Sequence, residues 1–395
     1  MDAGSIAWLL TASALVLLMT PGLAFFYGGL VRAKNVLNLM MQCFMIMGLV
    51  SITWVLWGYT LAFGPSIGGI VGGLDHLGLA GINGAEAQSF AMFQMMFAII
   101  TPALIVGAVA DRFKFTSLIV FVALWSTLVY SPIAHWVWAS GGWLFEMGAL
   151  DFAGGTVVHI SSGFSALVAA IVVGKRKGKL DNFKPHNIPY VLLGTGLLWF
   201  GWFGFNAGSA LAADDIAVNA FLVTNTSAAA GALMMMFLSM RATGKPSAIM
   251  TATGAVAGLV AITPASGFVG PVAAILIGAG VGLVSWFAIQ FKNQRGWDDS
   301  LDVWAVHGMG GVWGALATGL FASAAYGVGV DGIFSGGAIS VLTTQIIAIV
   351  ATIAYAGIVT FILLKALDNT IGLRVDDKDE EAGMDISVHA EDAYN

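Results

Sequence analysis

Cysteine and charged side chains are nearly absent from this chain of 395 residues. It contains one cysteine, Cys43, and only 10% of its residues are charged, whereas about 25% are charged in an average soluble protein. A single cysteine excludes an internal disulfide framework and a cysteine-based metal site. So little charge also excludes the two or three soluble domains that the length would suggest, because most of the surface cannot face water.

Long apolar stretches take the place of the missing charge. Hydrophobic residues make up 58% of the chain, and stretches long enough to span a bilayer recur eleven times. The sequence therefore predicts an all-α membrane protein with 11 transmembrane helices. Only Asp2 carries a charge before the first stretch, so we expect that stretch to remain as a spanning helix and not to be removed as a signal peptide. The predicted spans are 6–31, 37–63, 89–110, 115–137, 151–173, 188–211, 217–240, 247–264, 270–291, 300–323 and 338–365.

The basic residues predict how the helices are oriented. All of them follow odd-numbered predicted helices, whereas the loops after even-numbered helices carry acids. Because cytoplasmic loops are enriched in lysine and arginine, the N-terminus is predicted outside and the C-terminus inside. A missed or invented helix would break this alternation, so the pattern also supports the number of helices. The basic residues are Arg32, Lys34, Arg112, Lys114, Lys175, Arg176, Lys177, Lys179, Lys184, Arg241, Lys245, Lys292, Arg295, Lys365, Arg374 and Lys378, and the acids of the even-numbered loops are Asp75, Glu86, Glu146, Asp214, Asp215 and Asp331.

The last 30 residues differ in composition from the rest. Residues 366–395 hold nine acids and two bases, a net charge of −7, while the whole chain has −6. The membrane part is therefore close to neutral, and the acidic balance does not indicate a nucleic-acid partner. Two interpretations of this tail stay open: a solvated, partly disordered end, or a cytoplasmic regulatory segment. In either case, we expect that deleting residues 368–395 leaves a folded, membrane-inserted protein.

Two segments of the fifth and tenth predicted helices share one spacing of residues. Asp151 precedes His159 by eight residues, Asp299 precedes His307 by eight, and a glycine follows each histidine by four. The two helices are predicted to run in opposite directions. At 1.5 Å per residue, each histidine would lie roughly 12 Å from its own membrane face, near the middle of a hydrocarbon core about 30 Å thick. This is the arrangement expected of an inverted repeat with a central site.

The predicted organisation is one membrane domain followed by the tail. The transmembrane domain covers residues 1–365 and contains an inverted repeat of five plus five helices, about 1–173 and 188–323. An eleventh helix, 338–365, follows the repeat, and the acidic cytoplasmic tail covers 366–395. A central pore is expected in each subunit.

Two histidines in matched positions favour a pore over isolated core residues. An ionisable side chain in the middle of a membrane usually faces a bundle interior or a pore, and imidazoles can donate and accept hydrogen bonds and so pass a small polar solute. A metal site would need a third or fourth ligand, and no carboxylate lies beside either histidine, so no metal is predicted. The other four histidines are interpreted as solvated or interfacial. They are His76, His135, His186 and His389.

Asp151 and Asp299 have a structural interpretation. Each would lie at the N-terminus of its helix, where a carboxylate caps free N–H groups and favours the positive end of the helix dipole. Asp302 lies in the same turn as Asp299 and competes with it for this role. We predict that these aspartates stabilise the helices and do not carry protons.

Several long segments together resemble one known family. The chain is similar to the ammonium transporter family (Amt/Mep/Rh), and specifically to its bacterial and archaeal Amt branch, over essentially its whole length. The segments that carry the resemblance are AFFYGGLVRAKNVLN (24–38), FAIITPALIVGAVADR (97–112), SPIAHWVW (131–138), DFAGGTVVHISSG (151–163), WFGWFGFNAGSALA (199–212), ITPASGFVG (262–270), DDSLDVWAVHGMGG (298–311) and GLRVDDKDEEAGMDIS (372–387).

The resemblance implies a site residue by residue. It implies an outer site that recruits ammonium, followed by an apolar gate, a pore-lining indole and a pair of histidines in the pore. Aromatic faces attract a cation, and a serine hydroxyl accepts a hydrogen bond from ammonium, which Na⁺ cannot donate. For the outer tryptophan, Trp143 and Trp136 are the alternatives, since its spacing from Asp151 is one residue longer than in the family's pattern. The implied residues are Trp138, Phe97, Ser209 and Thr263 at the outer site, Phe97 and Phe205 at the gate, and Trp202, His159 and His307 in the pore.

The resemblance also implies partners and alternatives. The expected protein is a homotrimer in the plasma membrane, without a cofactor, that carries ammonium or ammonia and is blocked from the inside by a PII-type signal protein. The nearest alternative is an electroneutral Rh-like gas channel. A membrane ammonium sensor would need a cytoplasmic signalling domain, for which 30 tail residues are too few. An enzyme would need a nucleophile or metal cluster, and the sequence shows none.

Overall fold

The computed structural model describes residues 1–178, 184–327 and 329–394. Lys179, one of the basic residues used to orient the helices, lies outside the described residues. The helices are α1 (Ala3–Leu30), α2 (Val36–Thr53), α3 (Tyr59–Phe63), α4 (Ala85–Val106), α5 (Phe115–Trp125), α6 (Ser131–Trp138), α7 (Trp143–Glu146), α8 (Ser161–Val173), α9 (Ile188–Gly208), α10 (Asp215–Thr243), α11 (Ala248–Ile262), α12 (Pro271–Arg295), α13 (Met309–Phe321), α14 (Ile339–Asp368) and α15 (Asp377–Ala382). Two short strands, β1 (Ser66–Ile67) and β2 (Val71–Gly72), pair antiparallel.

The described residues form a multi-pass membrane protein. Nine of their helical segments are long and apolar enough to cross a bilayer, and α11 is a shorter apolar helix. The tenth predicted span, 300–323, corresponds to a π turn (Trp304–Gly308) that continues into α13. Each of the eleven predicted spans therefore contains a helical segment. The predicted second and fourth spans are each interrupted by a π turn, Trp54–Gly58 and Ser126–Tyr130.

Glycines allow close approaches between helices. α1 packs along α9, and a Cβ on Gly194 of α9 would come within 2.2 Å of the backbone nitrogen of Phe26. A Cβ on Gly163 of α8 would come within 2.1 Å of the backbone nitrogen of Gly308. This second contact presses α8 against the π turn that carries His307. Small residues at helix crossings are typical of membrane proteins, because close backbone packing replaces the hydrophobic driving force.

The two histidine-bearing helices begin later than predicted. The predicted starts are 151 and 300, but helical structure begins at Gly155 and Trp304, in both cases with a π turn. The physical reason is that each aspartate caps the first turn from outside the helix. Gly154 turns the chain with φ +111°. The predicted eight-residue α-helical rise between aspartate and histidine is therefore wrong, because each histidine lies within the first turn of its helix.

The acidic tail is packed against the rest of the protein and is not a solvated end. Met384 and Asp385 are buried, as is Leu373. Residues 372–375 pair with 112–114 through hydrogen bonds from Lys114 N to Leu373 O and from Val375 N to Arg112 O. The interpretation as a partly disordered end is wrong for the described part of the tail, because its apolar residues and its carboxylates find partners on the helix ends.

Asp385 of the tail forms hydrogen bonds with the first turn of α2. Its carboxylate accepts hydrogen bonds from the backbone N–H groups of Leu37 (3.1 Å) and Asn38 (2.9 Å). These are free N–H groups at the beginning of a helix, and a residue nearly 350 positions away caps them. Deleting the tail would remove this cap from α2. We therefore expect the shortened protein to fold, but with a lower free energy of unfolding.

We predict that Asp385→Ala lowers the stability of the folded protein by about 0.5–2 kcal/mol, the usual value of an N-cap. The midpoint of thermal unfolding in detergent measures this. Asp392→Ala, at an exposed tail residue, is the control for loss of charge alone. Equal midpoints for the two variants would show that the cap does not stabilise the fold.

A cluster of buried charges lies at the same face of the molecule as the tail. Arg176 donates to both carboxylate oxygens of Asp298, at 3.2 and 3.1 Å from Nε and 2.7 Å from Nη2. Arg112 donates to the backbone oxygen of Asp298 (2.6 Å) and to Ser300 Oγ (2.7 Å). Burial raises the pKa of Asp298, but the hydrogen bonds and charge of Arg176, with Arg112, outweigh it and lower that pKa to about 2. Burial lowers the pKa of Arg112 to about 10.

The depressed pKa of Asp298 predicts a pH-dependent contribution to stability. Because the folded pKa of about 2 lies below the ordinary value of 3.8, the carboxylate stabilises the fold above about pH 4, and this contribution is lost as the pH falls toward 2. Asp298→Asn should therefore unfold at a lower temperature than wild type at pH 7, and the difference should shrink as the pH approaches 3. A difference that does not depend on pH would contradict this assignment.

Candidate functional site

His159 and His307 meet inside the protein. The two residues lie on the π turns Gly155–Ile160 and Trp304–Gly308, and both are buried. Their Nδ1 atoms are 3.2 Å apart, and their rings are stacked with centroids 5.3 Å apart. At this distance one Nδ1 donates and the other accepts, so a single hydrogen joins the two rings.

A narrow cavity runs from the histidines along apolar side chains. Trp202 stacks on His159 with centroids 5.4 Å apart, and Phe205 lies 6.0 Å from the same ring. Nε2 of His159 is buried and has no hydrogen-bond partner among the described residues. Most of the remaining lining is aliphatic: Met19, Leu23, Ile100, Leu104, Val158, Leu198 and Val256. A polar nitrogen in such a cavity is available to a small solute.

Two phenylalanines contact each other beside this cavity. Phe97 of α4 and Phe205 of α9 have ring centroids 4.3 Å apart at an interplanar angle of 35°, and both are fully buried. Phe93, one turn before Phe97, contacts it edge-on at 4.9 Å. The two rings separate the histidine cavity from the end of the molecule where Trp138 lies.

Trp138 lies over Phe97, at the last residue of α6. Their ring centroids are 5.7 Å apart at 88°, and Trp138 is only partly buried. Its indole Nε1 donates to the backbone oxygen of Asp151 at 2.9 Å, which fixes the ring. The two alternatives, Trp136 and Trp143, pack on each other with ring centroids 5.7 Å apart.

Ser209 and Thr263 differ in burial and in hydrogen-bond partners. Ser209 is partly exposed and follows Phe205 by one turn, with its hydroxyl donating to Phe205 O at 2.8 Å. Thr263 is fully buried, accepts a hydrogen bond from Trp202 Nε1 (2.8 Å) and donates to Leu259 O (2.7 Å). The family pattern implies Thr263 as a binding residue near the outer site. In the structure its hydroxyl accepts the hydrogen bond of the Trp202 indole.

The two aspartates cap the turns that carry the histidines. The carboxylate of Asp151 accepts from four successive backbone N–H groups, those of residues 154–157, at 2.6–3.1 Å. Asp299 accepts from Val303 (3.1 Å) and Trp304 (2.8 Å). Asp302, the competing residue, forms an ion pair with Lys292 at 2.7 Å instead. These contacts support the structural role expected of Asp151 and Asp299.

The interpretation of His135 as solvated or interfacial is wrong. It is buried, with Nδ1 2.8 Å from Ala62 O and Nε2 2.8 Å from Ser66 Oγ. The sequence places it near a helix end but does not show that the β1–β2 ribbon folds over it.

The aliphatic lining of the cavity could not be predicted from the sequence, because an apolar residue in a chain this hydrophobic carries no signal of its own. Within the described residues, no three His, Cys, Asp or Glu side chains come together as a metal site.

Comparisons with known proteins agree on one family. The model of the Ammonium Transporter Family matches residues 7–394. The chain is 49% identical to the ammonium transporter Amt1 of Archaeoglobus fulgidus over the full length of both proteins. It is 48% identical to an ammonium transporter of Bacillus subtilis, over all of this chain and 99% of that one. The crystal structure of Mep2 from Saccharomyces cerevisiae has a TM-score of 0.89 at 37% identity, covering 96% of this chain and 88% of that one.

Proposed function

Because the chain belongs to the ammonium transporter family, we propose that it carries ammonium or ammonia across the membrane by the route from Trp138 to His307. It is a transport protein and not an enzyme, as its relatives are named transporters. The observation that carries the proposal is the unbroken series of ring contacts Trp138–Phe97–Phe205–His159–His307.

Ammonium is recruited at the partly exposed end of this route. The faces of Trp138 and Phe97 attract a cation, and the oxygen of Ser209 keeps a lone pair that accepts an N–H. K⁺ and Na⁺ are attracted to the same faces but have no hydrogen to donate. The site therefore prefers ammonium by hydrogen bonding and not by charge.

The proton leaves ammonium near the Phe97–Phe205 gate. Beyond the two rings the cavity is aliphatic and narrow, and an unpaired charge there would lose its hydration with almost nothing to replace it. Neutral ammonia needs only hydrogen-bond partners, and Nε2 of His159, which has no partner within the described part of the chain, offers one. The pair of imidazoles then passes ammonia along the route.

The distribution of charged residues along the chain supports a definite orientation of the helices in the membrane. Eleven spanning helices, with the N-terminus outside and the C-terminus inside, put the Trp138 end of the route at the cell exterior. The inverted repeat of helices 1–5 and 6–10 is supported by the aspartate-capped π turn that precedes each histidine. We propose a homotrimer in the plasma membrane with one pore in each subunit, and a PII-type signal protein as the partner at the face where the tail is docked.

An electroneutral gas channel is the alternative that shares the histidines. It would not need a cation-binding mouth, so the placement of Trp138 against Phe97 at 5.7 Å favours recruitment of the cation. The second alternative, a sensor without transport, is not favoured, because the described tail packs on the membrane domain and does not form a domain of its own.

Growth of cells that lack their own ammonium uptake tests the proposal. At acid pH, where free ammonia is scarce, expression of this protein should restore growth on low ammonium. Trp138→Ala should raise the ammonium concentration needed for half-maximal growth, because the cation site is lost, while growth at high ammonium is kept. Trp143→Ala is the matched control. No rescue by the wild-type protein, despite its presence in the membrane, would contradict the proposal.

A further inference from the structure

A small buried cavity lies between the two π turns that interrupt the second and fourth predicted spans. The turns Trp54–Gly58 and Ser126–Tyr130 both line it, together with Ala98 of α4, the residue after the gate phenylalanine. The space is sufficient for about one water molecule. None of its lining residues belongs to the transport route described above.

The lining of this cavity is rich in hydroxyl groups. Tyr130 is completely buried, and its hydroxyl has no hydrogen-bond partner among the described residues. Thr53, Ser126 and Ser131 also line the cavity. Each of these three donates its hydrogen to a backbone oxygen of its own helix, at 3.3, 3.2 and 3.0 Å, so each keeps oxygen lone pairs free to accept. A buried hydroxyl without a partner is unfavourable, and native proteins usually satisfy it with protein groups or ordered water.

We propose that the cavity is a binding site for one water molecule. The water accepts the hydrogen of the Tyr130 hydroxyl and donates its own two hydrogens to hydroxyl oxygens of Thr53, Ser126 or Ser131. Every hydrogen then has an acceptor, and the water makes three hydrogen bonds, the typical number for a buried water. The site therefore joins the helix pair α2–α3 to the pair α5–α6.

The position of the site between two π turns has a physical reason. A π turn widens the helix locally, and foreign donors or waters often enter a helix where its i→i−4 ladder is interrupted. Pro132 follows the second π turn and has no N–H to donate back. The hydroxyl of Tyr355 already donates to Leu128 O within that turn, at 2.9 Å. The hydroxyl of Tyr355, from α14, thus satisfies a backbone oxygen of this turn. The proposed water satisfies the side-chain hydroxyl of Tyr130, the last residue of the same turn.

A high-resolution structure of the protein purified and crystallised without ammonium tests the site. We expect one ordered peak in the cavity, within hydrogen-bond distance of Tyr130 Oη. In Tyr130→Phe the peak should be lost, and in Thr53→Val, which keeps the shape of the side chain, it should weaken. Tyr355→Phe removes a hydroxyl that donates to the same π turn but does not line the cavity, so it should keep the peak.

Three results would overturn the proposal. An empty cavity in the wild-type protein, at a resolution that shows other buried waters, would show that the hydroxyl of Tyr130 is left unpaired. An unchanged peak in Tyr130→Phe would show that the tyrosine does not hold the ligand. A peak that appears only in crystals grown with ammonium would assign the site to ammonia and not to water.

Discussion

Replacing His159 with alanine should slow ammonium transport by roughly tenfold or more, which corresponds to about 1.4 kcal/mol in the barrier. The reason is that the cavity beyond the phenylalanine gate contains few polar groups, and this change removes the buried Nε2 as well as the hydrogen bond to His307. One net hydrogen bond is worth about 0.5–1.5 kcal/mol. The cation site at Trp138 should still bind ammonium, so the affinity should change less than the rate.

Acidic replacements and a control separate the relay from simple space filling. His159→Asp should retain more ion passage than His159→Ala, because a carboxylate accepts N–H bonds and stabilises positive charge, but it should admit K⁺. His76→Ala is the control, at a histidine that is distant in sequence from the pair and whose Nδ1 lies 2.9 Å from Ala80 O. The measurement is ammonium transport with competition by K⁺. Unchanged transport and unchanged K⁺ rejection in His159→Ala would contradict the assignment of His159 and His307 to the pore.

Replacing Asp151 with alanine is expected to destabilise the fold by more than about 3 kcal/mol. Four buried N–H groups would lose a charged acceptor, and a hydrogen bond to a charged group is worth about 1.5–3 kcal/mol. The π turn that carries His159 begins at these N–H groups. The thermal midpoint of the purified protein in detergent and the yield of monodisperse protein measure the effect.

Two further variants test whether the loss of stability follows the number of capped N–H groups. Asp151→Asn retains one side-chain oxygen and should fall between wild type and Asp151→Ala. Asp299→Ala removes an acceptor of only two N–H groups and should cost less than Asp151→Ala. The reverse order would show that the number of capped N–H groups does not set the stabilities of the two turns.

The pairing of His159 and His307 is predictable because chemistry and spacing coincide at these residues. The spacing of Asp151 to His159 recurs from Asp299 to His307, and it indicates a repeat because the two helices are also predicted to run in opposite directions. The placement of Phe97 and Trp138 is different, since a chain with 25 Phe and 13 Trp offers many candidates. Only the family motif selects them.

The parts that escape prediction depend on contacts between distant segments. In the sequence Asp385 is one more acid of a polar tail, and only the fold brings it to the N–H groups of Leu37 and Asn38. His135 is buried because the β1–β2 ribbon supplies Ser66. The start of the helix at Gly155 and not at Asp151 reflects the geometry of capping, which hydrophobic length alone does not express.

Transport by the purified wild-type protein across a bilayer of defined composition tests the central claim most directly. An ammonium gradient should give a saturable response above that of protein-free membranes, and K⁺ or Na⁺ gradients of the same size should give none. No response to ammonium above the protein-free membrane, or an equal response to K⁺, would contradict a route that recruits ammonium at Trp138 and passes it to His159 and His307.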